Sequence, residues 1–429
     1  MNRESQKLSI GWLDFSEEDL RDAKALLAKF NGENTLDELG FGILRDTFAE
    51  MFYPATNTVM TRPRYLMFIP ALCIAIEDQK LEGRAADKKL TELEDQVRES
   101  LLKEETRDVI GKRSKDELDR YPSSIYWNAL RRLGVFLHSN WRLAYYQNHL
   151  SVYYKTMTPS KDNDGLYHLQ HGEQRNWENG FCNLLFLGHS IFKDEDQKIP
   201  LSLNFKLTPY EACYLRDRYK ALAQKDGRPS MISHLVGLKY PDEFSFPWDV
   251  PCPAELSLYV KHARLFSMLT RGATLQYYHL LQRERDKKHI ARSDCDFAGV
   301  FERWWEATRK DLKQWRVEEF LSIAKTLKGI RRENDAKFIR TWSKLNVDAR
   351  NANAMFENPL AHDEIRRREK CARPNKARLH FPEFLKRWKP PRPSDIKSMA
   401  SKPNSLCFFL EYRAGIGNAF VKDIVNGLE

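Results

Sequence analysis

The sequence predicts a mainly α, multi-helical protein with few short strands, and three observations carry that prediction. Gly and Pro number 19 each in 429 residues, which favours long helices over many turns. Residues 254–283 place Leu256, Val260, Ala263, Phe266, Leu269, Ala273, Tyr277 and Leu280 at spacings of three and four, the pattern of a helix buried on more than one side. Residues 297–329 continue in that style with Trp304, Trp305, Trp315, Phe320 and Leu321 and read as one long helix.

In chain order, Ser16 caps a first helix that runs to about Phe30 and stops at Asn31-Gly32, with Glu17, Glu18 and Asp19 suiting the helix dipole. Thr35 and Glu38 form a capping box for the next helix. Ile43, Leu44, Thr47, Phe48 and Met51 then give an apolar face that Pro54 ends. A polar loop with Arg62, Arg64 and Tyr65 leads into LMFIPALCIAI, apolar nearly all round and hence a core helix. Two guanidinium groups beside a phenol form either an anion-binding corner or pairs with acids such as Asp46 and Glu50. Residues 81–120 read as a long exposed helix resting on Leu90, Leu93, Val97, Leu101 and Leu102. Tyr121-Pro122-Ser123-Ser124 opens a helix with Arg131 and Arg132 that ends at Gly134, before aromatic-rich WRLAYYQNHLSVYY. This is one half of a helix-turn-helix or an ordinary helical hairpin.

Turn signals at Pro159, Asp164-Gly165 and Asn179-Gly180 mark 156–204 as a loop-rich connection between an N-terminal helical domain, 1–155, and a second helical domain, 205–360, built on the 254–283 helix. Within the second, Thr208 and Pro209 open a helix closed by Asp226-Gly227, and a short helix follows around 232–238. Pro-rich, aromatic 240–253 reads as a strap over the body, and Gly272-Ala273 permits a close helix neighbour. Residues 361–429 are a basic segment and a C-terminal helix.

Composition narrows the function classes. An apolar share of 42% with 12% aromatics describes a folded chain. The longest apolar run, Leu66 to Ile76, is about half of a membrane span, and MNRESQKLSIGW lacks a signal pattern. We expect a soluble, cytoplasmic protein with no membrane contact. Seven cysteines form no CxxC pair, so no disulfide framework or zinc ribbon is expected. His168 and His171 lack a third ligand, and Cys182 and His189 lack an orienting acid. His262 reads as a satisfied buried histidine, and Gly415 and Gly417 as a helix start. There is no GxxxxGK[ST] phosphate loop. No metal, cofactor or catalytic residue is assigned, and whether the chain is an enzyme stays open.

Charge is more informative. The net charge is +10, yet residues 1–150 hold 22 Lys+Arg against 25 Asp+Glu, leaving +13 on the rest. Basic residues interleave with aromatics at Arg62, Arg64 and Tyr65, at Arg131 and Arg132 before Trp141, and at Arg366, Arg367, Arg368, Lys370, Arg373, Lys376 and Arg378 before Trp388. Cations neutralise phosphates and flat rings stack on bases. The last group is so dense that its charges are expected to be exposed and mutually repelling unless a polyanion or acidic surface is present.

Several stretches also resemble one bacterial family catalogued as a domain of unknown function. They are GWLDFS at 11–16, LGFGILRDTFAEMFYPATNTVMTRPRYLMFIP at 39–70, YPSSIYWNALRRLGV at 121–135, FKLTPYEACYLRDRY at 205–219, PWDVP at 247–251, HARLFSMLTRGATLQYYHLL at 262–281 and ARL at 377–379. The resemblance implies a place among bacterial defence and DNA-modification loci and carries over no catalytic residue. Together these readings make the chain a nucleic-acid-binding, non-catalytic component of an antiviral-defence or DNA-processing system, with DNA or RNA as partner. The alternatives are a protein-only scaffold that recruits a helicase or nuclease, and a nucleic-acid hydrolase.

Overall fold

Apolar periodicity becomes sixteen helices among the described residues, with one antiparallel pair of two-residue strands, Ser160–Lys161 (β1) and Tyr167–His168 (β2). The structure is a computed structural model and describes residues 37–105, 107–112, 118, 120–157, 160–161, 167–168, 176–186, 199–200, 202–222, 227–240, 242–289, 296–330, 332–388 and 410–429. The expected Ser16 helix and the Thr35 cap lie outside the described residues.

A front group comprises α1 (Gly42–Phe52), α2 (Tyr65–Asp78), α3 (Gly83–Glu104), α4 (Pro122–Arg132) and α5 (Leu143–Met157). α1 buries Leu44, Phe48, Ala49, Met51 and Phe52, whereas Ile43 is exposed, so its apolar face is rotated from the expected one. α2 is the core helix that its composition announces, buried from Tyr65 to Ala75 except at Ile74, and it packs on both α3 and α4. α3 buries Leu90, Leu93, Val97 and Leu101 as expected but leaves Leu102 exposed and stops at Glu104. Glu105 is extended there, and its carboxylate accepts the Phe205 N–H at 2.8 Å, so a tertiary bond replaces further helix.

The middle of the chain and its end form one unit. α6 (Asn179–Phe186) packs on α7 (Pro209–Ala221), which with α8 (Met231–Gly237) holds the terminal α16 (Ala414–Gly427). Thr208 caps α7 by accepting the Glu211 N–H, and the Glu211 carboxylate accepts the Thr208 N–H in return. The described residues of the strap, 240 and 242–253, hold no helix, and Phe244 stacks on buried Tyr53.

The third group is built around α9 (Ala254–Lys287), against which α10 (Phe297–Lys313), α12 (Glu333–Asp348), α14 (Pro359–Ala372) and α15 (Pro382–Arg387) pack. α11 (Val317–Thr326) and α13 (Ala352–Phe356) complete it. The single helix expected over 297–329 is two, broken at Gln314–Arg316. Trp315 turns inward at the break and donates its indole N–H to His262 Nδ1 at 2.9 Å. Burying a large ring with its polar tip satisfied outweighs the helical bonds forgone. At Gly272 a Cβ would stand 2.1 Å from the Trp304 ring, so α10 lies directly on the α9 backbone. One buried apolar cluster runs from Leu39 to Val425 through all three groups. Among the described residues no helix is long and apolar enough to cross a membrane.

Gly417, in the first turns of α16, faces the ring of Tyr53, where a Cβ would lie 2.3 Å from Cδ1. Gly417→Ala is expected to lower stability by roughly 1–3 kcal/mol through overpacking, although alanine alone favours a helix by up to ~1 kcal/mol. The urea midpoint reads this directly, and an unchanged or higher midpoint contradicts the close approach.

Candidate nucleic-acid interface

Folding withdraws much of the basic signal from solvent. Arg62 donates to both carboxylate oxygens of Asp423, at 2.6 and 2.7 Å, with Asp108 at 3.6 Å. Arg64 donates to the Asn204 carbonyl at 2.9 Å and pairs with Glu211 at 3.2 Å. Asp46 and Glu50, the acids expected as partners, serve other arginines: Asp46 takes Arg45, and Glu50 takes Arg132 and Arg413. Asp423 lies 361 positions from Arg62, a distance over which sequence gives no pairing signal. Tyr65 is buried, its hydroxyl accepting the Ile110 N–H at 3.1 Å, and burial pushes the phenol pKa up.

The basic segment after residue 361 behaves similarly. Arg366 pairs with Glu284 at 2.8 Å, Arg367 with Glu364, and Arg378 with Glu38. Arg368 is 3% exposed, so it is a core residue and not part of an exposed cationic triplet. Its guanidinium donates to the carbonyls of Leu39 at 2.6 Å and Gly40 at 2.8 Å and to Asp335, and lies over the rings of both Phe41 and Phe338. The expected mutual repulsion is therefore relieved inside the molecule, by Glu38, Glu284 and Asp335 on distant elements. Arg373 is half-buried, while Lys376 and Lys370 are exposed, the latter over the Phe381 ring.

The Arg131–Trp141 region buries Phe136 but leaves His138 and Trp141 half-buried at its edge. Gly134 adopts φ +66° at the end of α4, a left-handed conformation that glycine accepts without strain, and the chain turns back towards α5. His138 stacks on Trp141 with centroids 4.0 Å apart and planes within 12°, and Tyr145 stacks on His149 at 3.5 Å. Trp141 meets Tyr145 edge-on at 5.0 Å, joining the two stacks into a ladder. Tyr145 is 45% exposed, with exposed Leu137 and Val152 nearby in sequence. Arg131 donates to Asn128 at 2.8 Å and to the Trp141 carbonyl at 3.4 Å, and Arg142 is exposed next to Trp141 in the chain.

The ladder is anchored from below. The Trp141 carbonyl also accepts the Trp127 indole N–H at 2.9 Å. His138 Nε2 bonds to Asn176 Oδ1 at 3.0 Å. Asn176 Nδ2 donates to Glu77, so the amide oxygen faces the histidine and His138 Nε2 carries a hydrogen. Glu77 Oε1 accepts two further donors, the Tyr146 hydroxyl at 2.6 Å and the Trp177 indole at 2.9 Å. Burial pushes the Glu77 pKa up to about 7, against the pull of these three donors. Burial also lowers the His138 pKa. The sequence reading singled out Arg131, Arg132 and Trp141 but missed His138, Tyr145 and His149. The 141, 145, 149 spacing, one helical face, was the available signal.

Other motifs resolve simply. His262 is buried as expected, with Nδ1 accepting the Trp315 indole N–H and Nε2 3.5 Å from Glu319 but without a hydrogen bond, and Gly415 and Gly417 sit within the first turn of α16. His171, His189 and the side chain of His168 lie outside the described residues. No cluster of three His, Cys, Asp or Glu among the described residues is placed to hold a metal ion. A small cleft between α2 and α3, with room for about one water molecule, is lined by Tyr65, Phe68, Leu72, Val97, Tyr121 and Glu94. Glu94 accepts the Ser123 N–H and hydroxyl, and burial pushes its pKa up to about 8.

A model of a family of unknown function (DUF6361) matches residues 8–149. The match covers the front of the chain, narrower than the resemblance that reaches residue 379, and it contains Arg62, Arg64, Arg131, Arg132 and every ring of the ladder. No curated protein and no solved structure matches.

Two outcomes follow. Arg368→Ala leaves the Leu39 and Gly40 carbonyls and Asp335 without their partner and is expected to cost about 3–5 kcal/mol, whereas exposed Lys376→Ala changes stability by less than about 0.5 kcal/mol. Comparable urea midpoints for the two variants would contradict the burial of Arg368. The second concerns pH. With its folded pKa raised from 4.5 to about 7, the native state holds the Glu77 proton more tightly than the unfolded chain does. Its contribution is fully present below about pH 4.5 and is lost as pH rises through about 7, on the order of 3 kcal/mol. Glu77→Gln should flatten the decline of the thermal midpoint across that window, and parallel curves for the two proteins would refute this account.

Proposed function

We propose that this protein binds nucleic acid through the His138–Trp141–Tyr145–His149 ladder and the cations beside it, as a cytoplasmic, non-catalytic component of a bacterial antiviral-defence or DNA-processing system. The carrying observation is that Tyr145 is 45% exposed beside half-buried Trp141, whose chain neighbour Arg142 is exposed and whose carbonyl Arg131 holds, while the core rings below are buried. Stacked rings held beside guanidinium groups suit bases and phosphates together. The net charge of +10 supports attraction to a polyanion. The resemblance to a bacterial family found among defence and DNA-modification loci supports the setting.

Of the arginines named from sequence, those engaged by internal acids are less suited to phosphate than Arg142, because pairing with a ligand would first break an existing bond. A second reading, a scaffold that recruits a helicase or nuclease, draws on exposed Leu137 and Val152 near the same rings. Binding of labelled oligonucleotides followed by fluorescence anisotropy, with salt raised from about 50 to 200 mM, distinguishes the two. Nucleic-acid affinity should fall with a log–log slope near one per phosphate contact, and Arg142→Ala should make it shallower by about one. Absence of binding at the lowest salt, together with capture of a partner protein that survives nuclease treatment, favours the scaffold.

A further inference from the structure

Resting on the nucleic-acid reading above, we infer that the ladder takes single-stranded nucleic acid and discriminates against duplex, with unpaired bases stacking on Tyr145 and Trp141. Three features of the surface lead there. The first is what the rings offer. His138 lies against Trp141 and Tyr145 against His149, each pair nearly parallel, and the two pairs meet edge-on. What a ligand meets is aromatic surface that lies mostly on Tyr145, with half-buried Trp141 beside it, and only a base whose own faces are uncovered can stack there. In a duplex those faces are occupied by neighbouring base pairs.

The second is the sparse charge. Arg142 follows Trp141 in the chain, and Arg131, which reaches the same region, already donates to Asn128 and the Trp141 carbonyl. On the neighbouring α3, Asp87 contacts Gln147 of the ladder helix at 3.2 Å. Tight sequence-independent duplex binding rests on many phosphate contacts, and four arginines of the strongest basic cluster in the sequence are spent on Glu284, Glu364, Asp335 and Glu38. With few cations, affinity has to come from stacking, which requires single strands.

The third is rigidity. The Asn176 bond fixes His138, and two donors fix the Trp141 carbonyl, so the rings are held in place without a ligand. Binding then costs little ordering entropy on the protein side. Tyr145 and His149 lie four residues apart on α5, roughly 6 Å along its axis and close to the rise of two stacked nucleotides.

The test uses the full chain and fluorescein-labelled 15-mers: a mixed-sequence DNA single strand, the RNA of the same sequence, and the blunt DNA duplex. Anisotropy is read at one low salt concentration for the wild type, Tyr145→Ala and Tyr145→Phe, with thermal midpoints confirming that the exposed substitutions leave the fold intact. At least one of the single strands should bind about tenfold more tightly than the duplex. Tyr145→Ala should weaken that single strand about tenfold, and Tyr145→Phe should retain it, because the ring and not the hydroxyl makes the contact. The DNA and RNA arms tell which sugar the site accepts, and preference for either supports the inference. Duplex binding equal to or tighter than both single strands overturns it while leaving nucleic-acid binding standing. Single-strand binding unaffected by Tyr145→Ala overturns the assignment to the ladder. Failure of all three probes to bind the wild type removes the nucleic-acid reading itself and this inference with it.

Discussion

A guanidinium group withdrawn from water must find acceptors, and this requirement organises much of the molecule. Arg62, Arg64, Arg368, Arg378 and Arg413 each reach an acid on a distant part of the chain. Those pairs tie the start of α2 to α7 and α16, and the basic segment to the residues at 38–40. Leaving one partner alone in the interior costs far more than the pair gains over water, so the acids constrain how the segments dock. The same requirement sorts the basic residues by role. Arginines spent on internal acids hold the fold, and cations such as Arg142, Lys370 and Lys376 remain at the surface.

The aromatic ladder shows how a core can hold an exposed surface rigid. Trp127, Phe136, Tyr146 and Trp177 pack below it with centroids between 4.6 and 6.1 Å. One carboxylate, Glu77, satisfies the polar tips of Tyr146 and Trp177 and the amide of Asn176. The amide then has one orientation that satisfies both neighbours, and this sets the hydrogen on His138. Rings whose polar edges are fixed from beneath keep their faces available above, a useful property for a stacking platform.

Elsewhere, single aromatic residues override helical propensity. Trp315 sits where helical periodicity continues, yet burying its ring with its N–H on His262 breaks the helix into α10 and α11. Trp304 lies so close to α9 that only glycine fits at 272. Tyr53 makes the same demand on Gly417. Close packing leaves no room for a methyl group at these points, and a glycine in a helix pattern is the trace that such packing leaves in sequence.

Sequence alone determined what depends on local physics. Periodicity gave the helical class, the core character of α2 and the length of α9. Thr208 with Pro209 marked the start of α7, and the Gly272-Ala273 pair marked a close neighbour. These follow from spacing, capping and side-chain size, which act over a few residues. Tertiary structure decided what depends on partners far along the chain. It ended α3 at Glu104 through a bond to Phe205, gave Arg62 an acid 361 positions away, and buried Arg368 beside Leu39 and Gly40. It also brought Asn176 under His138, so that an aromatic-rich stretch became an ordered ladder. A charge in the sequence announces only its sign, and whether it meets solvent or an acid is settled by which elements the fold brings together.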